Sequence, residues 1–103
     1  MESEGEFHGA MLGVYGQARA LGYNATRFLQ MVDELGGLQA AKHLLAKPGV
    51  QSGLAWLWEH GRLDISMEAL VLQERFRSLF TEPEQAEAHR RLEELGYFKA
   101  NRQ

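Results

Sequence analysis

Histidines and carboxylates are the side chains whose spacing could do chemistry in this sequence, and two groupings stand out. His89 and Glu93 lie at i,i+4, which places both on one face of a helix at a separation that could hold a metal ion. Two ligands without a third make no site, and a solvated helix face accounts for the pair. Glu59, His60 and Asp64 fall close together around a helix end and offer an acid and a base. Catalysis also needs a nucleophile and a donor for the developing negative charge, and neither can be assembled around them. Arg62 and Asp64 are read instead as fixing a turn. No glycine-rich phosphate loop, nucleophile elbow or metal motif occurs, and there is no cysteine. The sequence is therefore read as that of a protein that is not an enzyme and has no metal and no cofactor.

Binding chemistry has two better candidates. Arg27, Gln39, Lys42, His43 and Lys47 fall on a helix, Gly-Gly, helix segment over 27–47. With Leu38, Ala41 and Leu45 inward, the polar members of the second helix line its outer face, as in a helix-turn-helix-like nucleic-acid reader. Charge weighs against it. The net charge is −3, distributed as −3 over residues 1–9, +2 over 10–50 and −2 over the rest, whereas affinity for nucleic acid rests largely on neutralising phosphates. The second candidate is Trp56 with Glu59 and His60 one turn on. Leu54, Leu57 and Trp58 share a helical face, while Trp56 stands roughly 200° from Trp58, so the two tryptophans are not expected to bury against one core. A tryptophan left outside the core is a strong anchor for a protein interface.

These residues must be positioned by helices, because no strand pattern is present. The 103 residues are 45% hydrophobic and long enough for one core without staples. Residues 1–9, with Glu2, Glu4 and Glu6, are expected to be a disordered acidic arm, and 10–103 a single helical domain. Met11, Leu12, Tyr15, Ala18 and Leu21 recur at helical spacing up to Gly22, and Gly13 and Gly16 are expected to mark close contact with another helix. Asn24 is the expected cap of a second helix ended by Gly36-Gly37, and Ser52 that of a fourth over 53–60.

Ser66 caps the densest apolar stretch, which is expected to be the central helix, near 66–80. Its apolar residues point two ways: Met67, Leu70 and Val71 on one side, Leu72, Phe76, Leu79 and Phe80 on roughly the other. The stretch is then buried on two sides, broken near Gln73–Arg75, or keeps one face for a partner. Thr81 and Glu84 have the spacing of a capping box, and Glu87 with Arg91 that of an i,i+4 surface pair on an exposed last helix.

The run Gly22-Tyr23, Phe28-Leu29-Gln30-Met31-Val32, Gly36-Gly37, Ala40-Ala41-Lys42, Leu57-Trp58-Glu59, Gly61-Arg62-Leu63-Asp64, Glu68-Ala69-Leu70-Val71 and Leu79-Phe80-Thr81 resembles a small bacterial all-helical module that occurs alone or attached to larger proteins, some of them nuclease-like. The resemblance implies an accessory role and no activity. The expectation is an all-α, compact bundle of five to six short helices. Its function is expected to be that of a cytoplasmic, non-enzymatic protein-interaction or accessory module that binds a protein partner or itself, with nucleic acid as the alternative and no membrane. The acidic N-terminus, where a signal peptide would be basic, and the lack of a long apolar run underlie the expectations of a cytoplasmic location and no membrane.

Overall fold

Hydrophobic spacing and glycine stops divide the chain into five helices of eight or more residues and four shorter helical turns, with no strand among the described residues. The structure is a computed structural model and describes residues 2–100. The chain opens with four of the long helices, α1 (Glu2–Ala20), α2 (Thr26–Leu35), α3 (Gly37–Ala46) and α4 (Ser52–Glu59). After them come a 3-10 turn at Leu63–Ile65, α5 (Met67–Val71), α6 (Glu74–Arg77), the fifth long helix α7 (Glu82–Glu94), and α8 (Tyr97–Ala100). The fold is all-α, and no helix among the described residues is long and apolar enough to cross a membrane.

The expected acidic arm is instead the start of α1. Phe7 is fully buried and packs edge-on against Phe76 and Phe80, with ring centroids 5.1 and 5.3 Å away. The stripe of Met11 and Ala18 extends back to Phe7 at helical spacing, and burial of that aromatic ring favours helix despite the acids around it. Gly13 and Gly16 face open space. Close approach falls at Gly37, where a Cβ would stand 2.6 Å from the His8 Cα, and the Gly37 amide donates to His8 Nδ1 at 2.9 Å. His8 thus partners one of the amides that the start of α3 leaves unpaired.

The stretch expected to be one central helix is two. Ser66 caps α5 by accepting from the Ala69 amide, and the backbone turns to an extended conformation at Gln73 before α6 begins. The turn brings the two apolar sets together: Phe76 and Phe80 join Met67, Leu70 and Val71 in one cluster with Phe7, Met11, Val32 and Leu45. Phe7 fills the space beside Phe76 and Phe80. A second cluster of Leu54, Leu57, Leu63, Ile65 and Leu92 lies under α4 and the 3-10 turn, and Leu72 touches both. Thr81 and Glu84 form the expected capping box of α7.

Candidate docking cleft

Where α1, α2, α3, α4 and α5 converge, they leave an open cleft of about 370 Å³. Its walls are apolar: Val14 and Ala18 from α1, Phe28 and Met31 from α2, Leu54 and Leu57 from α4, and Met67 from α5. Its rim is polar and includes Tyr15, Asn24, Thr26, Gln51 and Ser52. Local chain turns explain the opening. Asn24 does not cap α2; Ala25 takes that position, and Asn24 accepts a hydrogen bond from the Tyr15 hydroxyl at 3.3 Å. Gln51, rather than Ser52, precedes α4, again without a side-chain cap.

Three charged residues reach the cleft. Glu68 lies at its floor, 3% exposed, and pairs with Arg91 Nη1 at 3.0 Å. Arg91 is fully buried and spends its remaining donors on Glu87 (2.7 Å) and on the carbonyls of Leu44, Leu45 and Lys47 at the end of α3. The guanidinium therefore joins α7 to α5 and satisfies carbonyls that a helix end leaves orphaned. Burial pushes the Glu68 carboxyl above its ordinary value, and the Arg91 contact offsets this only in part. Hydrogen bonds from Arg90 and then Arg91 hold the Glu87 carboxyl down at about 2. The Ser66 hydroxyl, also in the cleft wall, donates to the Leu63 carbonyl at 2.7 Å while it caps α5. Both polar groups of the floor are thus engaged in holding the fold together.

The other two charges, Arg27 and Lys47, are exposed at the rim, and neither has a carboxylate partner among the described residues.

The sequence candidates are brought only partly together. Lys42 pairs with Glu84 at 2.7 Å and covers the Phe80 ring, so it leaves the outer face of α3, where Gln39 and His43 remain exposed. Arg27 and Lys47 belong to the cleft instead. Trp56 is not the exposed tryptophan. It packs against the second cluster between Tyr23 (centroids 5.0 Å apart) and a stacked His60 (3.7 Å), while Trp58 is 48% exposed. The angular separation of the two rings holds, but the Trp56 side is covered by Tyr23, from a turn that helical periodicity does not describe.

His60 is spent on this stack and on the Trp56 carbonyl, Glu59 is exposed, and Asp64 pairs with Arg62 as the turn reading expects. His89 stacks on Phe98 and lies 3.7 Å from Glu93. No group of three or more His, Asp or Glu stands together to hold a metal among the described residues.

Arg91 is buried, not half of a surface pair as the i,i+4 spacing predicts. Its place beside Ala88 and Leu92 on the inner stripe of α7, with Leu95 at the cap, is the signal that it points inward.

No family model, curated protein or solved structure matches this chain.

Proposed function

We propose that the chain is a non-enzymatic protein-interaction module of the bacterial cytoplasm whose docking site is the cleft between α1, α2 and α4. The observation that carries this reading is the cleft itself: about 370 Å³ of largely apolar, open space in a domain this small, within the size range of binding sites. It has a lateral extension. Tyr23 lines the cleft and also meets Trp56, whose other side carries His60, so an aromatic shelf leads from the cleft along α4. Trp56 and His60 keep their proposed part in binding as the side of this shelf, while Glu59 stands exposed beside it. A binding role is favoured over catalysis because Glu68 and Ser66 already have structural partners.

A photo-crosslinking residue in place of Gln51 at the rim, compared in living cells with one at Glu34 outside the cleft, tests the reading. We expect Gln51 to yield a discrete protein adduct that disappears when Ala18→Trp fills the cleft. Equal labelling from both positions, or adducts to nucleic acid alone, would overturn it.

A further inference from the structure

Both exposed charges on the cleft are positive, although the chain as a whole carries a net charge of −3. Arg27 rises from the first turn of α2 and Lys47 from the residue after α3, so they come from separate elements. Four of the other basic side chains are held by acids, Lys42 by Glu84, Arg62 by Asp64, Arg90 by Glu87 and Glu94, and Arg91 by Glu68 and Glu87, while Arg19, Arg75 and Arg77 are exposed without an acidic partner among the described residues but do not line the cleft. The one carboxylate of the cleft, Glu68, is buried beside Arg91 and presents almost no surface to an occupant.

We infer that the cleft takes an acidic, amphipathic segment of a partner protein, with bulky apolar side chains filling the pocket and a neighbouring Asp or Glu meeting Arg27 and Lys47. The inference rests on the docking reading above and adds the sign of the occupant's charge. Charge complementarity of this kind sets which partner is admitted and speeds the encounter. A chain segment fits better than an isolated small molecule because the aromatic shelf of Tyr23, Trp56 and His60 continues the apolar surface beyond the cleft.

Selection of short random peptides displayed on phage against the intact protein tests this. The expected result is enrichment of peptides in which one or two large apolar residues adjoin Asp or Glu. Their binding should weaken by roughly tenfold or more in Arg27→Glu and Lys47→Glu. It should be lost when the cleft is filled by Ala18→Trp or, leaving the core untouched, by Thr26→Trp at the exposed rim. Enriched peptides that need the open cleft but show no acidic bias and ignore both charge reversals would overturn the inference while leaving the docking function intact. Failure to enrich any peptide sensitive to cleft filling would overturn both. Binding of a single-stranded oligonucleotide that depends on Lys47 and is unaffected by cleft filling would do the same in favour of nucleic acid.

Discussion

The buried seam around Arg91 and the open cleft around Arg27 and Lys47 meet at the end of α3 and treat charge in opposite ways. In the seam, Glu68, Glu87 and the terminal carbonyls of α3 surround one guanidinium, and no buried side-chain polar atom is left unpaired among the described residues. At the cleft, two exposed cations stand at the edge of an apolar hollow with no carboxylate partner among the described residues. Glu68 takes part in both, as the acid of the seam and the floor of the cleft. The difference separates charges that hold the fold from charges free to meet another molecule: the first must be fully partnered because burial makes an unpaired charge expensive, while the second remain hydrated.

That contrast can be broken most severely at Arg91. Arg91→Met strands the Glu68 carboxylate and the α3 carbonyls, and should cost about 3–5 kcal/mol in urea unfolding. Adding Glu68→Leu should restore part of the loss, the remainder reflecting the carbonyls without their donor. A single-variant cost below about 1 kcal/mol would mean the seam is not what joins α3, α5 and α7.

The tryptophans sharpen the comparison on the cleft side. Trp56→Ala removes a ring held between Tyr23 and His60 and should cost about 1–2 kcal/mol, whereas Trp58→Ala should stay within about 0.5 kcal/mol, as read by thermal melting. The reverse order would place the wrong ring in the core.

Acid titration separates the two carboxylates of the seam by sign. Glu87, held at about 2 in the fold against an ordinary 4.5, contributes stability that is present above pH 4.5 and lost as pH falls toward about 2; Glu87→Gln should flatten that limb. Glu68 has a raised value, so its contribution is fully present below pH 4.5 and lost as pH rises through the raised value. Glu68→Gln should remove that decline. The smallest effect belongs to Lys47→Glu, which should change stability by no more than about 0.5 kcal/mol, because the side chain is exposed and has no acidic partner among the described residues. A larger loss on urea unfolding would return Lys47 to the seam.

Features encoded within a few residues were legible in the sequence. The Ser66 cap, the Thr81 and Glu84 box and the Arg62 and Asp64 turn all depend on groups two or three residues apart. The break at Gln73 could be posed but not decided, because the ring that fills the space beside Phe76 and Phe80 is Phe7, some seventy residues earlier. Three neighbouring acids hid Phe7 as a core residue, although its spacing to Met11 continues the α1 stripe. For Arg91 the sequence exposes only the i,i+4 partner Glu87, while Glu68 and the carbonyls of α3 are distant in the chain. The cleft was the least legible feature, since it is a space left between five elements and no single segment encodes it. Arg27 and Lys47 were singled out, but as part of a helical face that also held Lys42; only tertiary packing gives Lys42 to Glu84 and the other two to the cleft.

Lys47 carries a consequence of its own. Its carbonyl is fastened to Arg91 while the residue lines the cleft with its side chain exposed, so the rim on that side is preorganised and an occupant need order only the lysine side chain. Folding and occupancy are thermodynamically linked: an occupant that binds only the folded chain raises the melting temperature by an amount that grows with the logarithm of its concentration once this exceeds Kd. A substitution at Arg91, which touches no occupant, should therefore weaken apparent affinity by lowering the fraction of molecules whose rim is set to receive one.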